Sequence, residues 1–282
     1  MTNSIGIIGS GIMGGGIAES AAAAGHQVVL RSRTEAAASA THAGIERSLG
    51  RQVAKEKRTQ AEADEILARI STTTELSGLS DCDLIIESVI EDLPTKLAIF
   101  SELGAVAKDG ALLATNTSTL PVIEMAAASG RPESVVGIHF FNPAPAMALV
   151  EIVRPLTASD DAVARATAFA TSCGKTPVEV KDQAGFVVNA LLFPYLNNAV
   201  RLLETGVATK EGIDEAMKGG CNFPMGPLAL LDLVGLDTSV AILDALYAEF
   251  GDPNFVAVPR LRRMVTAGQL GRKSGAGFYD YA

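Results

Sequence analysis

Apolar residues change their spacing along this chain, and the change divides it. Short consecutive apolar runs at Ser4 to Ile8, Gln27 to Leu30, Asp83 to Val89, Leu112 to Thr115 and Val135 to Phe140 are too brief for helices and read as buried strands. Between them the spacing turns helical, at Ile12 to Ala24, Glu35 to Lys57, Pro94 to Ala107 and Pro121 to Ala128. Leu149 to Val153 and Thr176 to Val180 read as further strands, with a helix from Asp160 to Cys173 between them. Alternation of this kind predicts a doubly wound α/β sheet. After Asp182-Gln183-Ala184-Gly185 only helical spacing remains, at Phe186 to Glu204, Thr209 to Lys218, Leu228 to Leu233, Ser239 to Phe250 and Pro259 to Ala267. We therefore expect two domains, residues 1–184 and an all-helical 185–282.

The first strand runs directly into Gly9-Ser10-Gly11-Ile12-Met13-Gly14, and a helix follows at once. A G-x-G-x-x-G motif is weak alone, but strand before and helix after are its required context. It needs a tight turn at Gly9, no side chain at Gly11 where backbone amides approach a pyrophosphate, and close helix-to-sheet packing at Gly14. The N-terminal domain is expected to be of the Rossmann type. Gly9, Gly11, Ile12, Met13 and Gly14 are its candidate cofactor-binding residues.

About twenty residues on, an NAD site usually places Asp or Glu, which accepts hydrogen bonds from the adenine ribose. Here the second strand ends in Arg31-Ser32-Arg33. No carboxylate stands there to repel a 2′-phosphate, and two guanidinium groups could pair with one. The residues lean towards NADP. The alternative is that both arginines are solvated and Ser32 tolerates NAD.

Composition narrows the rest. At 282 residues and 48% hydrophobic content the chain can bury a large core. No segment reads as a membrane span or a targeting signal, so a cytoplasmic protein is expected. Cys82, Cys173 and Cys221 stand apart, which suggests neither a metal site nor a disulfide framework. A formal charge of −9 argues against nucleic acid as a partner, so any anionic ligand needs a local basic cluster. Arg47, Arg51 and Lys55 form one at i, i+4 and i+8, beside Ser48. It reads either as a solvated face or as a grip for a phosphorylated handle such as coenzyme A.

Chemistry is expected where strand ends meet the helical domain. Ser118 follows a strand in Thr115-Asn116-Thr117-Ser118, His139 lies near a strand end, Glu151 lies beyond the turn after it, and Asn189 opens the helical part. Reduction of a carbonyl needs a proton donor, which His supplies near neutral pH, and a carboxylate behind the ring fixes its tautomer. Each residue also has a structural alternative: a core histidine, a helix cap, a strand carboxylate and a helix amide.

Residues Gly137-Ile138-His139-Phe140-Phe141-Asn142-Pro143-Ala144-Pro145-Ala146-Met147, leading to Leu149-Val150-Glu151, closely resemble the active-site segment of the 3-hydroxyacyl-CoA dehydrogenases. Asp182 to Asn189 resembles the interdomain motif of that family, and Gly271 to Tyr281 its C-terminal ending. The resemblance spans residues 5 to 281 and is similar in length to the bacterial 3-hydroxybutyryl-CoA dehydrogenase branch. It implies His139 as general acid/base with Glu151 orienting it, and Ser118, Asn142 and Asn189 as substrate contacts. It places Glu91 and Lys96 near the nicotinamide ribose, counts Asn116 with the cofactor site, and assigns Ser48, Arg51 and Lys55 to the grip on coenzyme A. It further implies the (S)-3-hydroxy isomer and a homodimer.

Two positions depart from the family pattern. Ser32 stands where an acidic residue is usual, and Ala190 where Arg is common. Other readings are a hydroxyacid dehydrogenase acting on free acids, which would be expected to use a Lys that Phe186 to Glu204 does not contain, a gulonate-type sugar-acid dehydrogenase, which would not need the basic stripe, and a catalytically silent structural relative, which would not need the four polar residues together.

Overall fold

The computed structural model describes residues 4–281. Strands form mostly where apolar residues run consecutively, and five of the eleven α-helices among the described residues start at a side chain that caps them. In the N-terminal unit the order is β1 (Ser4–Ile8), α1 (Ile12–Ala23), β2 (Gln27–Arg31), α2 (Glu35–Ala54), α3 (Gln60–Ala68), β3 (Ile70–Thr73), β4 (Leu84–Glu87), α4 (Leu93–Val106), β5 (Leu112–Thr115), α5 (Val122–Ala128), β6 (Val135–Phe140), β7 (Leu149–Arg154), α6 (Asp160–Ser172) and β8 (Thr176–Lys181). Thr34, Thr59, Asp92 and Ser159 each accept a backbone N–H at the start of α2, α3, α4 and α6. Helix α1 has no such side chain.

The strands form one sheet in the order β3-β2-β1-β4-β5-β6-β7-β8. Every pairing is parallel except β6 with β7, which is antiparallel. The order reverses between β1 and β4, the position at which doubly wound sheets open a crevice beyond their strand ends. Alternate strand residues serve opposite faces. Ile5, Ile7, Val28, Leu30, Ile86 and Ile138 join a core with Ile17, Leu49, Ile66 and Phe169 of α1, α2, α3 and α6. Ile85, Leu113 and Val135 are the buried neighbours on the other parity, and α4 and α5 bury Phe100, Leu103 and Met125.

Several sequence expectations change. Helix α2 stops at Ala54 rather than Lys57, because Glu56 turns the chain back at φ 55°. Helix α3 and strand β3 were not anticipated. The first helix of the C-terminal unit opens at Val188 rather than Phe186, since Gly185 and Phe186 both take positive φ.

The chain divides after Asp182 into two units. The second contains α7 (Val188–Glu204), α8 (Lys210–Cys221), α9 (Pro227–Val234), α10 (Leu236–Phe250) and α11 (Pro259–Thr266). Its core is built from Phe193, Leu196, Val200, Leu228, Leu231, Leu243, Leu246 and Leu261. No helix among the described residues is long and apolar enough to cross a membrane.

Candidate active site

The glycines after β1 have distinct surroundings. A Cβ at Gly9 would lie 2.3 Å from the Ser88 carbonyl oxygen, and one at Gly14 would lie 1.8 Å from that of Gly9. Both positions are closed to any other residue. At Gly11 a Cβ would meet nothing within 4 Å, so that side of the turn is open. Beside the opening, α1 begins with Gly11 at its N-cap and no side-chain partner for its first amides, which leaves the positive helix end to an anion. The Gly9 N–H donates to the Arg31 carbonyl at 3.1 Å, and the Thr41 hydroxyl donates to that of Ser10 at 2.7 Å, pinning the turn. This cradle fits the pyrophosphate of a dinucleotide.

At the end of β2, Ser32 is buried, its N–H donates to the Thr73 carbonyl at 2.9 Å, and its Oγ has no hydrogen-bond partner. Arg31 is half-buried, and its Nε donates to the Thr74 carbonyl at 3.1 Å. Arg33 is exposed. Of the two arginines, Arg33 is therefore the one whose side chain extends into solvent. With its hydroxyl turned inward, Ser32 contributes chiefly the absence of a carboxylate.

Beyond β4 lies a cluster of which the sequence named only Glu91 and Lys96. Glu87 is fully buried and pairs through Oε1 with the Lys96 ammonium at 2.8 Å. Its Oε2 accepts from Lys96 at 2.9 Å and from the Thr115 hydroxyl at 2.7 Å. Lys96, only 1% exposed, also reaches Glu91 Oε2 at 3.4 Å. Glu91 Oε1 in turn accepts from the Thr117 hydroxyl at 2.6 Å, the Ser118 N–H at 2.8 Å and the Thr119 N–H at 3.1 Å. Glu91 and Lys96, expected near the nicotinamide ribose, are thus joined, and together they hold the turn that presents Ser118. The signal for Glu87 was an acid closing the apolar strand Leu84-Ile85-Ile86; Thr117 gave none.

Strands β6 and β7 place His139 directly opposite Glu151. In an antiparallel pair opposed residues share a face, so the side chains must meet. His139 Nδ1 lies 2.8 Å from Glu151 Oε2, with the two side chains 5% and 1% exposed. Phe141 packs on the imidazole, ring centres 4.5 Å apart. At that distance a carboxylate accepts Nδ1–H and directs proton exchange to Nε2.

Three asparagines were expected at the site. The Asn116 side-chain oxygen accepts the Phe140 N–H at 2.8 Å, and its nitrogen lies 3.4 Å from the Ser88 hydroxyl, so it ties together the chain beyond β4, β5 and β6. Asn142 is exposed at the start of the turn between β6 and β7. Asn189 is the second residue of α7 and is buried. In the basic stripe, Arg47 and Arg51 are exposed on α2, Ser48 is half-buried between them, and Lys55 is the exposed C-cap residue.

Comparison with known proteins agrees along the whole chain. The family description "3-hydroxyacyl-CoA dehydrogenase, NAD binding domain" matches residues 4–183, and "3-hydroxyacyl-CoA dehydrogenase, C-terminal domain" matches 185–281. A 3-hydroxybutyryl-CoA dehydrogenase of Clostridioides difficile is 47% identical over 275 residues, covering 98% of both chains. The crystal structure of M. tuberculosis FadB2 is 48% identical with a TM-score of 0.98, covering 100% of this chain and 99% of that one. The (S)-3-hydroxybutyryl-CoA dehydrogenase structure from Ralstonia eutropha is 42% identical with a TM-score of 0.97 and full coverage of both. With a pyrophosphate cradle after β1 and a buried His-Glu pair across β6 and β7, the chain belongs to the 3-hydroxyacyl-CoA dehydrogenase family.

Proposed function

We propose that this protein is an oxidoreductase that interconverts short-chain 3-hydroxyacyl-CoA and 3-ketoacyl-CoA, with (S)-3-hydroxybutyryl-CoA and acetoacetyl-CoA as its pair. The observation that carries the reading is the buried His139–Glu151 contact of 2.8 Å, set by strand register in a chain of this family. When bound, the nicotinamide supplies hydride to C3 or takes it in the reverse direction. His139 gives the forming alkoxide its proton from Nε2, or removes the hydroxyl proton on oxidation, and Glu151 stabilises the imidazolium. Ser118, Asn142 and Asn189 are the groups offered to substrate oxygens. Lys96 acts by fixing Glu91, and through it the Ser118 turn.

The cofactor is a nicotinamide dinucleotide, and the inferred preference is for NADP. Arg33 is the group offered to a 2′-phosphate, as Arg31 is tied to the Thr74 carbonyl. Arg51 and Lys55, with Ser48, grip the coenzyme A handle. In the helical unit Leu233, Tyr247 and Phe250 of α9 and α10 are 49%, 45% and 43% exposed, apolar surface suited to a homodimer. Steady-state rates with acetoacetyl-CoA and a longer 3-ketoacyl-CoA, each with NADH and NADPH, test the assignment. Absence of turnover with every combination overturns it.

A further inference from the structure

Lys175 stands between the end of α6 and β8, and its side chain is buried, with 9% of the residue exposed. A buried ammonium needs partners for all its protons. It finds them in one place: Nζ donates to the carbonyl oxygens of Ala144 at 2.7 Å, Met147 at 2.9 Å and Pro145 at 3.3 Å. Those carbonyls belong to the turn that joins β6 to β7. Two further bonds, from the Ala146 and Met147 N–H groups to the Pro143 carbonyl at 2.9 and 3.0 Å, close the turn internally. Its carbonyls converge on the lysine.

The turn has two other neighbours. At its start it carries Asn142, and its Ala144 and Pro145 press on α1, where a Cβ at Gly16 would lie 3.1 Å from the Ala144 Cβ and 3.3 Å from the Pro145 Cδ. Helix α1 is the helix whose first turn flanks the dinucleotide cradle. Strand pairing alone aligns His139 with Glu151. Nothing in that pairing sets where the tip of the hairpin lies against α1.

We propose that Lys175 is a positioning residue, whose ammonium seats the Pro143–Met147 turn so that Asn142 meets the thioester and α1 keeps its register with the catalytic hairpin. Burial lowers the affinity of Lys175 for its proton, with Cys173 and Glu19 acting in the opposite direction. The proposal rests on the substrate reading above for Asn142, but its action on α1 does not.

The test replaces the ammonium with an apolar chain of similar length, Lys175→Met, and compares Lys175→Arg, Asn142→Ala and the double variant Lys175→Met/Asn142→Ala. Acetoacetyl-CoA kinetics are measured together with dinucleotide affinity, by fluorescence titration of the reduced cofactor. For Lys175→Met, KM for acetoacetyl-CoA is expected to rise about tenfold and cofactor Kd several-fold, with kcat changing less. Lys175→Arg, which keeps cationic donors, recovers part of both. The double variant is expected to raise KM no more than the larger single effect, because both changes act on one contact.

A purely structural lysine would lower melting temperature and active fraction while leaving KM and Kd of the folded protein unchanged, and that result overturns the proposal. So does full additivity in the double variant. Should Lys175→Met not fold, Lys175→Arg carries the test: unaltered KM and Kd alongside a lowered melting temperature overturn the proposal. If wild type does not turn over acetoacetyl-CoA, the substrate reading has failed, and the cofactor Kd of Lys175→Met still decides whether Lys175 positions α1.

Discussion

Two pairs of buried carboxylates, one pair in each unit, keep different company. In the N-terminal unit Glu151 meets an imidazole and Glu87 meets an ammonium, partners that themselves carry protons. In the helical unit Asp214 accepts from the Leu228 and Ala229 N–H groups and the Tyr279 hydroxyl, at 2.8, 3.0 and 3.0 Å. Asp232 accepts from the Phe278 and Tyr279 N–H groups and the Tyr281 hydroxyl, at 2.9, 2.9 and 3.1 Å. A carboxylate met by amides is a fixed acceptor: Asp214 staples the start of α9, and Asp232 staples the C-terminal segment. Glu151 orients the ring it meets, while Glu87 and Lys96 hold each other and the turn before Ser118. Burial alone therefore does not separate a carboxylate proposed to serve catalysis from one that holds structure.

The largest effect expected from breaking this contrast is at the imidazole. His139→Ala should lower kcat for acetoacetyl-CoA reduction by roughly 10² to 10⁴, with cofactor affinity little altered. Turnover near wild type would remove the acid/base role.

Next comes the structural side. Asp232→Ala leaves two amides and a tyrosine hydroxyl without their acceptor, and hydrogen bonds to charged groups contribute about 1.5–3 kcal/mol each. Its melting temperature should fall by about 5–10 °C, read by circular dichroism. A fall of under about 2 °C would show that water replaces the carboxylate without cost.

A smaller effect is expected at the cofactor. Wild type should show higher kcat/KM with NADPH than with NADH, and Ser32→Asp combined with Arg33→Ala should reverse the order, since it adds the carboxylate and removes the exposed guanidinium. An enzyme that favours NADH by about tenfold or more would contradict this, and would mean that Arg33 stays in solvent.

The smallest is a pH slope. Burial first, then the bond to Asp214, push the Tyr279 hydroxyl above the ordinary tyrosine range. The folded state thus favours the neutral phenol. Its contribution is complete below the unfolded value of about 10 and is lost as pH rises beyond it. Between about pH 9 and pH 11 the melting temperature of wild type should fall more steeply than that of Tyr279→Phe. Equal slopes would place the alkaline sensitivity elsewhere.

Much of this was legible from residue order. Seven strands announced themselves as apolar runs, and His139 with Glu151 could be singled out as a pair before their strands were seen to oppose. Strand β3 was not legible, because Ile70-Ser71-Thr72-Thr73 lies at the sheet edge and buries only Ile70 fully. Helix α3 buries only Ala63 and Ile66, too narrow a stripe to distinguish from loop. Glu87, and its link to the already named Lys96 and Glu91, escaped for another reason. Glu87 faces Thr115 only because β4 pairs with β5, and no local spacing encodes that pairing. Lys175 escaped likewise, since its partners are defined by a turn about thirty residues away that closes only in three dimensions.

The contrast between the two kinds of buried carboxylate is tested most directly by one crossed measurement on near-isosteric variants, Glu151→Gln and Asp214→Asn, scored for both melting temperature and kcat/KM of the folded protein. Glu151→Gln should lose activity by about tenfold or more with a small change in melting temperature, because an amide oxygen can still accept from Nδ1–H but no longer balances an imidazolium. Asp214→Asn should lose several degrees, because its NH₂ faces backbone donors, while each folded molecule keeps its turnover. The opposite pattern, with Glu151→Gln unstable but active and Asp214→Asn stable but inactive, would contradict the account.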